Sequence, residues 1–461
     1  MNQRPLVIVH GYSDKGESFH RWVDILRAAG YETTEIHVAD YITLSNEITI
    51  RDLAEGLDRA IRLTPGLHDG QEFDAIVHST GMLVLRSWLM SYERRRSRLK
   101  HLIGLAPATF GSPLAHKGRS MLGAIFKGGK VIGPDFMEQG DLVLQGLELG
   151  SKFTWELAHQ DFVGDTIVYG DDPDTPYPFI FVGLEDYGRI QTRLTNADGT
   201  DGTVRWAGAG FNCRKIRMDL TADPSEADKP RVVFDPWRNT IAPLALIPGH
   251  NHATILSNPG PELVEKVVAA LRVSSAQQYA VLREQLLKQS AADASGIEQW
   301  QQFVIHLVDE RGDGIKDFFI ELYTMNRGEL EKIDNAEIDV HAFTNDPSYR
   351  CFHVNLSRLQ PALFDNLWLR LIASSGTQLV AYHGHGSERI TPSGTPRANP
   401  GLWDAVIDLT SNLPRGATDP KFFYPFTTTL VEIQMNREPM PLELTQVSHL
   451  FKFLDPNRLK A

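Results

Sequence analysis

Short apolar runs alternate with helical patterns through the first part of the chain. Leu6 to Val9 is uniformly apolar and rich in β-branched residues, which predicts a central strand buried on both faces. After His10-Gly11-Tyr12-Ser13-Asp14, apolar Phe19, Trp22, Ile25 and Leu26 recur at helical spacing, and the pattern stops at Gly30. Residues 31–38 predict a second strand, and residues 48–63 a helix with Ile48, Leu53, Leu57 and Ile61 on its apolar face. Phe73 to Val77 is another apolar run, followed at once by a helix-length apolar stretch. His101 to Leu105 is a further strand, closed by Ala106-Pro107. More core strands are expected at 166–169 and 178–182. Strands alternating with helices predict a mostly parallel sheet covered by helices on both faces.

Two stretches break this rhythm. Residues 111–165 start glycine-rich and continue with helical pieces near Leu142–Leu149 and Phe153–Leu157, an insert that forms either a cap over a pocket or a plain structural excursion. Helices near 261–273 and 275–289 end the first region, and the polar stretch 290–296 is the best boundary. Beyond it the period shortens. Phe303–Val308, Phe318–Tyr323, Ile338–Phe343, Tyr349–Leu356, Leu367–Ala373, Gln378–Tyr382 and the segment Lys421–Met435 read as strands separated by turn formers such as Arg311-Gly-Asp-Gly314. A chain of 461 residues is too long for one ordinary core. The expected domains are residues 1–290, an α/β unit, and 297–461, an antiparallel β-sandwich-like unit.

Composition narrows the function classes. The chain is 42% hydrophobic and 23% charged with a net charge of -12, which argues against a dedicated nucleic-acid binder. Cys213 and Cys351 are the only cysteines, too few for a disulfide framework or a metal cluster. The N-terminal MNQRPLVIVHG lacks a signal-peptide layout, and no apolar run is long enough to span a membrane. These features leave the redox compartment open and do not exclude peripheral attachment to a membrane; the location is otherwise expected to be cytoplasmic.

The sequence Val77-His78-Ser79-Thr80-Gly81 sits where a strand turns sharply into a helix, as at the nucleophile elbow of an α/β-hydrolase. Such a turn exposes the Ser79 Oγ, and the helix N-terminus favours negative charge beside it. Val77 stands where G-x-S-x-G has glycine and crowds the turn, so an ordinary buried strand followed by a serine N-cap is the other reading of the segment. A serine nucleophile needs a base and an orienting acid, which in this fold follow in the order Ser, Asp, His. Asp198-Gly-Thr-Asp201-Gly-Thr-Val204 supplies the acid, with Asp201 favoured over Asp198. Gly249-His250-Asn251-His252 supplies the base, with His252 favoured over His250 because Leu256 anchors it one helical turn away. The backbone N–H groups of Thr80 and Tyr12 are the expected oxyanion donors. His383-Gly-His385 lacks further ligands at suitable spacing, and no G-x-G-x-x-G or Walker pattern occurs. No metal and no cofactor is therefore expected. Arg86, the run containing Arg94, Arg95, Arg96, Arg98 and Lys100, and Lys127 among other lysines of the insert read either as a basic patch for an anionic lipid surface or as a solvated helix end and linker. The segment Val447–Leu454 is either a surface anchor or a final strand.

The motifs VIVHGYSD, VHSTGMLV, GLAPATFGSPLA, TDGTV and HATIL, spanning residues 6–256, follow the order seen in bacterial α/β-hydrolase lipases. VHSTG resembles the elbow of the PlaB-type phospholipases A/lysophospholipases A, which also join a hydrolase domain to a β-rich C-terminal domain. The resemblance implies Ser79 as nucleophile, Asp201 as acid and His252 as base. It also implies hydrolysis of fatty acyl esters in phospholipids and lysophospholipids at a membrane surface, with peripheral attachment and homo-oligomerisation. Two rival readings are a soluble carboxylesterase or neutral-lipid lipase, and a non-catalytic membrane-binding or assembly protein on the same scaffold.

Overall fold

Strand β1 (Leu6–Val9) is buried along its whole length, and its alternating side chains divide the first region into two faces. The computed structural model describes residues 4–9, 19–31, 33–36, 47–67, 70–92, 98–115, 141–170, 172, 174–187, 198–223, 225–226, 228–239, 241–334, 336–359, 366–377, 380–385, 402–410 and 422–439. After β1 come α1 (His20–Ala28), β2 (Thr33–Ile36), α2 (Ile50–Leu63), β3 (Phe73–Ser79), α3 (Gly81–Ser91) and β4 (Leu99–Pro107). Thr49 starts α2 through a capping box with Asp52. The chain continues through α4 (Asp141–Leu147), α5 (Lys152–Asp161) and β5 (Tyr177–Gly183). It then leaves the sheet as α6 (Trp206–Ala209), β6 (Cys213–Asp219) and β7 (Val232–Phe234), and returns as β8 (Leu244–Ile247). Helices α7 (Thr254–Ser257), α8 (Gly260–Leu271) and α9 (Ala276–Asp293) follow. The sheet order is β2-β1-β3-β4-β5-β8, and all its pairings are parallel.

Val7, Val9, Ala75 and Val77 point to the face covered by α2 and α3. Leu6, Ile8, Ile76 and Ile103 point to the other, covered by α1, α8 and α9. This double burial explains why the strands read as continuous apolar runs. The described part of the 111–165 insert contributes α4, which packs on α2, and α5, which packs on α3.

Residues 166–169, expected as a strand, are not one. The backbone N–H groups of Val168 and Tyr169 donate to the Asn239 side chain at 3.1 and 3.2 Å, so an amide oxygen replaces the strand partner. Arg86 does not join a surface patch either. It is fully buried, with Nε and Nη2 donating to Asp161 at 2.7 and 2.9 Å and Nη1 donating to the Thr109 carbonyl. The Tyr169 hydroxyl donates to the same carboxylate at 2.9 Å, and the guanidinium lies 4.2 Å from the Phe162 ring centroid. Arg98 is buried against the Gln71 and Leu67 carbonyls. An apolar helix can take an arginine inward when a carboxylate and carbonyls satisfy its fork. Arg94, Arg95, Arg96, Lys127 and the segment 447–454 lie outside the described residues.

The second region is a sandwich built from β9 (Trp300–Asp309), β10 (Asp317–Asn326), β11 (Glu329–Lys332), β12 (Ile338–Ala342), β13 (Tyr349–Asn355), β14 (Leu367–Ser374), β15 (Val380–His383), β16 (Leu402–Asp408) and β17 (Thr428–Pro439). One sheet runs β11-β10-β14-β16 and is antiparallel. The other runs β12-β13-β9-β17-β6-β7, with β15 also paired to β17. Here β17 is parallel to both β9 and β6, so the sheet takes in strands from before residue 290. Phe303, Ile305, Leu369, Leu371, Met218 and Ile433 fill the space between the sheets. Trp300, Val304, Tyr349, Cys351 and Leu430 instead join the core beneath α3 and α5, welding the sandwich to the parallel sheet. Among the described residues, no helix is long and apolar enough to cross a membrane.

Arg86→Met is expected to cost about 3–5 kcal/mol in urea unfolding, because Asp161 keeps an unpaired charge in the interior; adding Asp161→Leu should recover part of the loss. Burial pushes the His306 imidazole, stacked 3.8 Å from the Tyr349 ring, down from 6.5 to about 4. Its neutral form is thus favoured by folding. That stability is complete above about pH 6.5 and is lost as pH falls toward 4. His306→Phe should flatten part of the stability loss measured across that window.

Candidate active site

The elbow is built from a backbone conformation that serine rarely adopts. Ser79 has φ of 51°, in the left-handed region, between the end of β3 and the start of α3. Its carbonyl accepts from the Ala108 N–H at 3.0 Å, and the pairing with β4 shifts register between His78 and Ser79. Ala106 on β4 is also left-handed, with φ of 44°. Strain of this kind costs of order 1–3 kcal/mol and persists only where the surroundings enforce it. Val77 fits because its side chain points into the apolar face beneath α3.

Asp201 lies in a tight hairpin. Its N–H donates to the Val204 carbonyl at 3.1 Å, and the Trp206 N–H donates to the Gly199 carbonyl at 2.9 Å. The Asp201 Oδ1 accepts from the N–H groups of Thr203 and Val204 at 3.0 and 2.8 Å, while Oδ2 accepts from His252 Nδ1 at 2.9 Å. The His252 N–H donates to the Asp201 carbonyl at 3.0 Å. Aspartate and histidine are fully buried. The hairpin is held by Ser112 Oγ, which donates to the Thr203 carbonyl at 2.6 Å, and by Trp206 Nε1, which donates to the Gly183 carbonyl at 2.9 Å. Tyr187 shares a 2.9 Å hydrogen bond with the Thr203 hydroxyl, and burial pushes its phenol well above the usual range. A proton fixed on Nδ1 leaves Nε2 as the basic nitrogen of His252.

The His252 ring lies 4.6 Å, centroid to centroid, from the ring of His78, which directly precedes Ser79. His78 Nε2 is 3.2 Å from the His252 carbonyl oxygen, and Trp22 Nε1 donates to the Ile255 carbonyl in the next helical turn. The structure therefore brings Asp201 and His252 together beside the elbow. His250 is elsewhere engaged, with its ring nitrogens 3.0 Å from the Pro248 and Pro259 carbonyl oxygens. Asp198 is exposed at the hairpin's entrance. Thr80 is buried as the N-cap of α3; Tyr12 lies outside the described residues. His78 was not singled out from the sequence, although its place beside Ser79 was a usable signal. The expected exposure of the serine is not found: Ser79 is 4% exposed, and His78, Thr80 and His252 are buried as well.

A parallel sheet with helices on both faces and a serine at the β3–α3 elbow is the α/β-hydrolase fold, extended here by a β-sandwich. Among solved structures the chain is similar to phospholipase PlaB from Legionella pneumophila, with a TM-score of 0.75 and 21% identity over 96% of this chain and 97% of that one. The structure of that phospholipase in complex with thio-NAD gives a TM-score of 0.73 at the same identity and coverage. The fold is thus shared from end to end, sandwich included. No protein-family model and no curated protein matches the chain.

The left-handed backbone at Ser79 sets a stability test. Ser79→Gly should be more stable than Ser79→Ala by about 1 kcal/mol in thermal unfolding, since both lose the hydroxyl and only glycine escapes the strain.

Proposed function

We propose that the chain is a serine esterase that cleaves fatty acyl esters of glycerophospholipids and lysophospholipids at a membrane surface, to which it attaches peripherally as a homo-oligomer. The observation that carries the esterase reading is the buried Asp201–His252 hydrogen bond set beside a strained serine. The substrate class is supported by full-length fold similarity to a protein described as a phospholipase.

In this reading His252 Nε2 takes the Ser79 proton as Oγ attacks the ester carbonyl. Asp201 fixes the imidazole tautomer and stabilises the imidazolium. The Thr80 and Tyr12 N–H groups hold the oxyanion, aided by the N-terminus of α3. Collapse of the tetrahedral intermediate passes the proton to the leaving alcohol and leaves an acyl-serine. Water, deprotonated by the same histidine, then releases the fatty acid and restores the serine.

The test is turnover on phospholipid vesicles, resolving fatty acid from lysolipid, beside a soluble short-chain ester and a neutral lipid. Ser79→Ala and His252→Ala should each reduce turnover by about three to six orders of magnitude and Asp201→Asn by about three to four. His250→Ala should stay near wild type. A loss confined to His250→Ala overturns the assignment of the base. Turnover of the soluble ester alone favours a carboxylesterase, and the absence of a fluorophosphonate adduct at Ser79 favours a silent scaffold.

A further inference from the structure

Arg205 belongs to the Asp201 hairpin, yet both of its terminal guanidinium nitrogens bond to the sandwich. Thr200 and Arg205 close the hairpin as a bridged pair. From there the buried Arg205 guanidinium reaches across to β12 and β13, with Nη2 bonded to the Asp339 carboxylate and Nη1 donating to the Cys351 Sγ at 3.3 Å. Burial pushes the Cys351 thiol up to about 11, so the arginine meets a neutral sulfur there and a charge only at Asp339. The other end of the hairpin rests on the same body. Gly199 is left-handed, with φ of +70°, and a Cβ on it would lie 2.7 Å from the Trp300 ring and 2.8 Å from that of His353. Those two rings stack at 4.3 Å across β9 and β13. The hairpin thus has one side fixed to the α/β-hydrolase unit through Ser112, Tyr187 and Trp206, and the other fixed to the sandwich.

We infer that the β-sandwich is a positioning part of the active site, and that Arg205 is the residue through which it sets the orientation of Asp201 toward His252. The inference rests on the proposed triad. Arg205 touches no reacting atom. It fixes the far end of a hairpin in which only three residues separate it from the orienting carboxylate. A tilt there lengthens the Asp201–His252 hydrogen bond, weakening the stabilisation of the imidazolium and lowering the pH at which the base loses its proton.

The experiment uses the full-length chain and a soluble short-chain ester, so that membrane binding does not enter. Arg205→Met, Arg205→Lys and Asp339→Ala are compared with wild type and Asp201→Asn for kcat, KM, the pH profile of kcat/KM, Ser79 labelling by a fluorophosphonate, and Tm. Arg205→Met should lower kcat about tenfold with KM within about twofold, and should move the acid limb of kcat/KM to lower pH. Arg205→Lys should recover part of kcat, having the charge but not the fork. Asp339 is 62% exposed, so Asp339→Ala tests the clamp without opening the core; it should show a smaller shift in the same direction. Wild-type kcat and pH profile in folded Arg205→Met, or in Asp339→Ala should Arg205→Met fail to fold, overturns the inference. So does a kcat loss that only tracks the fraction of folded protein while the pH profile stays fixed. Wild-type turnover in Asp201→Asn overturns the triad itself, an outcome distinct from either.

Discussion

The site depends on one carboxylate held by three donors in a buried setting. Two backbone N–H groups fix Asp201 Oδ1 and leave Oδ2 a single direction in which to meet His252. An oriented acceptor in a low-dielectric setting interacts more strongly than the same group in water, and it need not reorganise when charge develops nearby. The hairpin supplies this orientation with its own backbone, so any force that bends the hairpin acts directly on the pair.

Those forces come from both halves of the molecule. The parallel sheet offers Ser112, Tyr187 and the Gly183 carbonyl, and the sandwich offers the Trp300–His353 stack and the partners of Arg205. Apolar residues of β9, β13 and β17 also complete the core beneath α3 and α5. The two regions are therefore poor candidates for independent motion, since an interface continuous with a domain core does not open cheaply.

Strands β1, β3, β4 and β5 were legible because burial on both faces leaves them largely apolar, and helices α1, α2, α8 and α9 because their apolar positions recur at helical spacing; β8, though a fully buried run of four residues, was not. Strand β6 carries no such signal: Arg214, Lys215 and Arg217 hide the alternation of Ile216 and Met218, and one of its two partners lies more than 200 residues onward. The 166–169 segment is apolar like a strand, but its hydrogen-bond partner is a side chain that no local pattern announces. Arg86 misled for a related reason. Charge at a helical position reads as solvent-facing unless the carboxylate that buries it, here 75 residues away, is known. At the site, residue types and order pointed to Ser79, Asp201 and His252. The burial of the serine, the place of His78 and the reach of Arg205 arise only from tertiary packing.

The insertion of β17 between β9 and β6 also governs how the chain must be assembled. During synthesis β6 and β9 emerge long before the strand that separates them. Until residues 428–439 leave the ribosome, both present unpaired edges facing an empty slot, the kind of surface that recruits wrong strands. The parallel sheet can form earlier, but the larger layer of the sandwich must wait for nearly the last part of the described chain. Truncation near that end would remove the keystone of a sheet shared by both halves rather than trim a tail.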